Sequence, residues 1–158
     1  MIHAIRLVEA TGQTEHRARL WAAVFLHDIA RTHDGICHRH GADAARRLRT
    51  EQPLQQRLAE AGLTEADYPA IVAAVTAHSA PKEARRDHGH WPLIALLKDA
   101  DALDRVRISD LDTRYLRHPE TRRMVSFAQA LFDRTDGVVP TGIIHFQEVW
   151  KLARELSR

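Results

Sequence analysis

The sequence predicts an all-α protein folded as a single compact helical bundle. Three observations carry this expectation. Apolar residues recur at three-and-four spacing along most of the chain. The segments with that spacing open and close on helix start and stop signals. No stretch longer than a few residues alternates apolar with polar in the manner of a half-buried strand. At 158 residues, 44% of them hydrophobic, the chain is long enough for one domain with a real core. No internal repeat or low-complexity tract divides it.

The elements follow in order. MIHAIRLVEA opens as a first helix, closed by the turn TGQT at 11–14. Residues 14–30, TEHRARLWAAVFLHDIA, start at Thr14 and place Leu20, Val24 and, nearby, Trp21 and Phe25 on one broad apolar face. After the glycine-bearing loop THDGICHRHG, residues 40–51 are rich in helix formers. Residues 54–62 end at Gly62, a helix stop. Thr64, with Asp67 three residues on, caps a segment over 64–79 that Pro81 closes. In 91–108, Pro92 falls in the first turn, where its missing N–H does no harm. Two amphipathic segments, 119–135 and 146–158, are joined by the turn DGVVPTG at 136–142.

Composition narrows the function. Net charge is +2 and the isoelectric point about 9.0, with Lys82, Lys98 and Lys151 the only lysines among many arginines. Arginine's planar fork suits phosphate. Acids are interspersed throughout, however, with no basic stripe carrying aromatics between its charges, so nucleic acid is not an expected partner. No apolar run approaches the roughly 18 to 20 residues of a membrane span, so no membrane partner is expected either. The first residues lack a basic stretch followed by an apolar one, so no secretory signal is expected and the expected location is the cytoplasm. A single cysteine, Cys37, cannot form an internal disulfide, in keeping with a reducing compartment.

Eleven histidines are many for this length, and the informative ones lie where helices end. Ligands from several helices converge only if their side chains reach one spot. His27 and Asp28 close the apolar run AAVFLHDIAR, His40 opens the next helix and His78 ends another. A His-Asp pair there reads either as the exposed end of a core helix or as two ligands delivered to a metal. Asp101 sits in an apolar helix between Leu97 and Leu103, where a carboxylate needs a partner. His3 precedes His27 by 24 positions, and two antiparallel helices joined at TGQT would set the two side by side. His16 is excluded by geometry. It lies 11 positions before His27 on the same helical face, about 16 Å away at about 1.5 Å per residue.

The set His3, His27, Asp28, His40, His78 and Asp101 resembles the HD superfamily, whose signature is a distal histidine, an adjacent His-Asp pair and a later aspartate. The opening HAIRLV is similar to its first box. AAVFLHDIAR is similar to its apolar run into His-Asp-Ile/Leu-Gly, with Ala30 in the usual glycine place. HRHGADAA is similar to its His-Gly-x-x-x-Ala helix start, IVAAVTAHS to its segment ending in histidine, and LLKDADALDRVR to its Ala-Asp-x-Leu-Asp box. The likeness runs over residues 3–107, and residues 1–158 are read as one such domain with C-terminal helices over 118–158.

The resemblance implies an activity and a ligand set. His3, His27, Asp28 and Asp101 would hold one divalent ion, and His40 and His78 a second, with Asp28 bridging the two. The cofactor expected is therefore a pair of divalent ions drawn from Fe, Mn, Zn, Co, Ni or Mg. Such ions polarise a phosphoryl oxygen and lower the pKa of bound water toward neutrality. The function implied is a metal-dependent phosphohydrolase, a phosphomonoesterase or phosphodiesterase acting on a nucleotide or other small phosphoester, with Asp28, Lys98 and Arg105 in catalysis. Lys98 and Arg105 lie three residues before and four after Asp101 on one helical face. With Arg31 they are the expected phosphate contacts, although Arg31 and Arg105 also read as salt-bridge partners of the ligands. Two other readings stay open: a di-iron oxygenase with the same six ligands, and a non-catalytic regulatory module. Hydrolases of the stringent-response alarmone carry two acids shortly after the pair; Ile29, Ala30 and Arg31 stand here, so that substrate is not expected. Cys37 with His33 and His38 offers too few ligands for a separate zinc, and no base is positioned to make Cys37 a nucleophile.

Overall fold

One helix, Trp91–Asp104, is apolar on nearly every side, and the other helices are arranged to cover it. The structure, a computed structural model, describes residues 1–33, 35–136 and 143–157, with the side chains of the last stretch described from residue 145. Among the described residues there are nine α-helices and no strand. They are α1 (Ile2–Thr11), α2 (Arg17–Leu26), α3 (His40–Thr50), α4 (Gln52–Glu60), α5 (Tyr68–His78), α6 (Trp91–Asp104), α7 (Pro119–Arg123), α8 (Val125–Thr135) and α9 (Ile143–Glu155). The all-α bundle expected from the periodicity is the fold observed. None of the described helices is long and apolar enough to cross a membrane.

In α6, Leu93, Ile94, Leu96, Leu97 and Leu103 are all but inaccessible. A helix buried this completely must be central. Each such side chain withdrawn from water contributes about 1.5–3 kcal/mol. Helix α5 packs between α3 and α6 and also touches α2, while α1 lies across α6 and α2. A smaller apolar cluster of Ile2, Leu131 and Ala153, with Phe127, Val149 and Trp150 against it, joins α1 to α8 and α9.

Several boundaries differ from the sequence reading. The segment 14–30 divides into a 3-10 turn at Thr14–His16, then α2, then tight turns after Leu26. There the backbone changes to three-residue spacing, Ile29 N–H donating to Leu26 O and Arg31 N–H to Asp28 O. His27 and Asp28 therefore sit just past the helix. The expected broad face of α2 is also narrower: Leu20, Ala22, Ala23 and Leu26 are buried, whereas Trp21 and Phe25 are 38% and 54% exposed. Small alanines, not the aromatics, let α2 approach the centre. The segment 91–108 leaves α-geometry after Asp104, becomes a 3-10 turn over Arg105–Ile108 and stops at Ser109, whose φ of 53° is left-handed. The segment 119–135 divides at Met124 into α7 and α8. The start signals at Thr64 and Asp67 and the first-turn proline at 92 stand as the sequence implies, and Pro53 and Pro69 occupy first turns of α4 and α5 as well. The turn read at 136–142 lies, from residue 137 on, outside the described residues.

Asp99, two residues before the aspartate that the sequence singles out, is the buried carboxylate of α6, at 0% exposure. Its Oδ2 accepts from Thr121 Oγ1 at 2.7 Å, from the His118 ring at 2.9 Å and from the His118 amide at 2.9 Å. Its Oδ1 accepts from the Arg117 amide at 2.9 Å and from Arg117 Nη1 at 3.2 Å. Arg117 also grips Glu83, and Glu83 pairs with Lys98 at 2.9 Å. Lys98 in turn donates to Ala77 O at the last turn of α5, 3.2 Å away, where a cation suits the helix end. This chain of charges ties the loop after α5 and the strand-like approach to α7 onto α6.

Burial opposes the charge on Asp99, yet the hydrogen bonds from His118, Thr121 and the two amides prevail and hold its carboxyl below the ordinary range. A depressed folded pKa means that its contribution is full above the unfolded value of about 3.9 and is lost as pH falls through the folded value. Replacing Asp99 with Asn removes the charge while leaving Arg117 buried, and is expected to lower unfolding free energy by about 3 kcal/mol at pH 7. The same change should flatten the acid limb of the stability profile. Urea melts at pH 3 to 7 check both, and a loss below about 0.5 kcal/mol at pH 7 would remove the carboxylate from the role given to it.

Candidate metal centre

The four elements that meet at one end of the central helices each deliver an acidic or imidazole side chain. His27 caps α2, with Asp28 beside it; His40 is the first residue of α3, His78 the last of α5, and Asp101 lies in the last turn of α6. Three of the rings are held in the same way. His27 Nδ1 donates to Val24 O at 2.7 Å, His40 Nδ1 to Cys37 O at 2.6 Å and His78 Nδ1 to Val75 O at 2.5 Å. In each case the carbonyl lies three residues before the ring. A carbonyl only accepts, so each Nδ1 carries the proton and each Nε2 is left with a lone pair.

Those Nε2 atoms converge on Asp28 and divide its carboxylate between them. Asp28 Oδ1 is 3.0 Å from His40 Nε2 and 3.7 Å from His78 Nε2. Asp28 Oδ2 is 3.5 Å from His27 Nε2, which lies 3.7 Å from Asp101 Oδ1. The His40 and His78 Nε2 atoms are only 2.8 Å apart. Two lone pairs at that separation, beside a carboxylate, repel unless a cation lies between them. Among the described residues, Asp28, His40 and His78 form the group whose ligand atoms all lie within 4.8 Å of one another. An acceptor-only set of imidazoles and a carboxylate suits a divalent ion of the first transition row, so these residues fit a metal.

When the rings are protonated, a hydrogen bond from His78 and then the charge on His27, His78 and His40 bring the Asp28 carboxyl down to about 2 against the opposing effect of burial; a cation held by the neutral rings would favour the carboxylate in the same way. Asp28 is therefore an anion at any pH of physiological interest. The His40 ring is pushed down by burial and then by the neighbouring His78, which favours the neutral form a metal requires.

The remaining residues singled out in the sequence are placed as follows. His3 lines the same cavity, of about 660 Å³, but is outside the tight group; its ring stands edge-on to Phe127, and burial, then the adjacent N-terminal amine, lower its pKa to about 4. Arg31 lines the cavity, 3.7 Å from Asp28 Oδ2, and donates to His33 O. Arg105 also lines it, paired to the Asp110 carboxylate and to Asp110 O. Lys98 does not line the cavity. It is turned instead toward Glu83 and the end of α5, so the expectation that it shares a phosphate with Arg105 is corrected by its engagement in the Asp99 chain. His16 closes the 3-10 turn before α2 and takes no part. Cys37 contributes a carbonyl to hold His40, and its thiol is not in the ligand group.

Gly41 and Ser79, neither of them a ligand, set the site's geometry. A Cβ on Gly41 would lie 2.3 Å from Val75 O, 2.7 Å from Ser79 Oγ and 2.9 Å from His78 Cε1. Ser79 Oγ accepts from the Gly41 amide at 3.2 Å and donates to His38 O at 3.3 Å. Only glycine permits α3 to start this close to the end of α5, and that closeness brings His40 onto His78. The glycine beside the histidine in HRHG was the available signal. Compared with protein-family models, with curated proteins and with solved structures, the chain matches none.

Two expectations follow from the geometry. If Asp28 serves both halves of the ligand set, equilibrium dialysis against Zn²⁺ should give more than one ion per chain in the native protein. It should give little metal in Asp28→Asn and an intermediate content in His78→Ala; equal losses in the two variants would remove the bridging role. Gly41→Ala must push α3 off the Val75 carbonyl, so zinc affinity should fall roughly 10- to 100-fold, the scale of lost ligand orientation. A destabilisation of about 1–3 kcal/mol, typical of overpacking, should accompany it in a thermal melt.

Proposed function

We propose that the protein is a metal-dependent phosphohydrolase of the HD kind, acting on a small phosphoester such as a nucleotide at a centre of two divalent ions. The observation that supports this reading is the division of Asp28, one oxygen toward His40 and His78 and the other toward His27, with Asp101 next to His27. In it, His27, Asp28 and Asp101, with His3, hold one ion, and Asp28, His40 and His78 the other. When bound, such ions supply Lewis acidity toward a phosphoryl oxygen and a lowered pKa for water.

The chain's own residues supply the rest. The three carbonyl-anchored rings keep their Nε2 lone pairs facing inward through turnover. The cavity is open to a substrate the size of a small phosphoester and carries Arg31 and Arg105 on its wall. Their guanidinium forks match phosphate oxygens and neutralise charge that grows there as the ester bond breaks. Arg105 is held by Asp110 in the meantime, so its phosphate contact is made by exchange of one anion for another. Lys98 is left out of the reading, because Glu83 and Ala77 O already occupy its ammonium.

A screen of the metal-loaded protein against nucleotides, p-nitrophenyl phosphate and bis-p-nitrophenyl phosphate tests the proposal. Turnover should vanish in Asp28→Asn, and kcat/KM should fall about 100-fold in Arg105→Ala at unchanged metal content. Lys98→Met should lose thermal stability and keep its kinetic constants. Dioxygen consumption by the iron-loaded protein without phosphoester turnover would replace the hydrolase with an oxygenase. Metal binding with neither activity would leave a regulatory module.

A further inference from the structure

Next to the cavity that carries the candidate ligands lies a second chamber of about 460 Å³, between the Arg105–Ile108 turn, α1, α8 and α9. The two spaces are adjoining. Met1, His3, Asp104 and Arg107 line both of them. Beyond that waist the walls turn apolar, with Val106, Ala128, Leu131, Phe132 and Val149. Thr135, Asp136 and two rings, His3 and His145, interrupt the apolar lining, and both rings carry a buried Nδ1 with no hydrogen-bond partner among the described residues. Buried ring nitrogens are rarely left this way in a native protein. The three metal-facing histidines show the contrast, since each gives its Nδ1 proton to a carbonyl.

We propose that this chamber seats the organic part of the substrate: an uncharged, largely apolar group, up to a fused aromatic in size, bearing at least one hydrogen-bonding atom for His3 or His145. The proposal rests on the phosphohydrolase reading for the phosphate end. Adjoining cavities with shared walls allow one molecule to occupy both. The head cavity is ringed by imidazoles, carboxylates and guanidinium groups, whereas the α8 and α9 wall of the tail chamber is formed largely by Ala128, Leu131, Phe132, Phe146 and Val149. At the waist, beside Met1, Asp104 and Arg107 pair with each other at 2.7 Å. Apolar walls without a ligand forgo dispersion contacts that an apolar group restores.

The test uses two phosphate monoesters with leaving alkoxides of similar basicity, 2-(2-naphthyl)ethyl phosphate and ethyl phosphate, on the metal-loaded full chain. The naphthyl ester should show a kcat/KM higher by at least about 30-fold, an effect within the scale of burying an aromatic group. Val149→Trp, which fills the chamber, should reduce that ratio to near one. If that variant melts early, Phe146→Ala, at a half-exposed position on the chamber wall, should lower the ratio instead. Equal kcat/KM for the two esters in the native protein overturns the proposal. A second readout separates it from the hydrolase reading: 2-naphthol added to ¹⁵N-histidine-labelled protein should shift the His3 and His145 ring signals, and leave them unmoved in Val149→Trp. Those shifts in a protein that hydrolyses no phosphoester would retain the chamber as a binding site and remove the hydrolase. Absence of the shifts in the native protein overturns the chamber whatever the activity.

Discussion

The contact between the first turn of α3 and the last turn of α5 governs the functional end of this protein. Where the backbones meet there is no room for a β-carbon, because Val75 O would lie 2.3 Å from one placed on Gly41. The approach costs the chain the conformational penalty of a glycine in a helix, about 1 kcal/mol relative to alanine. It brings two imidazoles, from residues 38 positions apart in sequence, to 2.8 Å. Ser79 closes the junction by bonding the Gly41 amide and the His38 carbonyl at once. The pairing of α5 with α6, and of α2 with both, then sets His27, Asp28 and Asp101 against that pair.

Two aspartates of α6, two residues apart, illustrate how burial assigns roles. Asp99 points into the body of the protein and takes hydrogen bonds from Thr121, His118 and Arg117. Asp101 emerges at the cavity with a half-buried carboxylate. Residues two apart on a helix face nearly opposite sides, so one carboxylate holds the bundle together while the other faces the cavity. The same division explains Lys98. Its position on the helix is compatible with the cavity, but an acid from another loop, Glu83, claims its charge.

Much of this was readable from the residues, and the reasons for the exceptions are physical. Helix starts at Thr64 and at Pro92, and stops at Gly12 and Gly62, are local signals that no tertiary contact overrides. Breaks after Leu26, after Asp104 and at Met124 carry no glycine or proline and were not legible. Trp21 and Phe25 look like core by composition, yet alanines can approach more closely, and close approach decided which face of α2 turned inward. At the site, His27, Asp28, His40, His78 and Asp101 could be grouped because each falls at a helix end or interrupts an apolar run. Asp99 was hidden by its better-placed neighbour, and its partners at 117–121 are too distant in sequence for any local pattern to reveal. The engagement of Lys98 with Glu83 was hidden for the same reason.

The bonds from His27, His40 and His78 to carbonyls of their own turns bear on the thermodynamics of ligand capture. A free imidazole can rotate about two side-chain torsions, and fixing it at the moment of binding costs entropy. Here that cost is met while the helices fold, because each ring is already locked to the turn that carries it. A cation arriving at the proposed centre would order almost nothing. The centre is thereby stiff as well as ready: its donor spacing is set by the helix axes, and an ion that needs a different spacing must move helices rather than side chains. Selection among ions of similar charge would then rest with the packing of the bundle, in residues that never touch the ion.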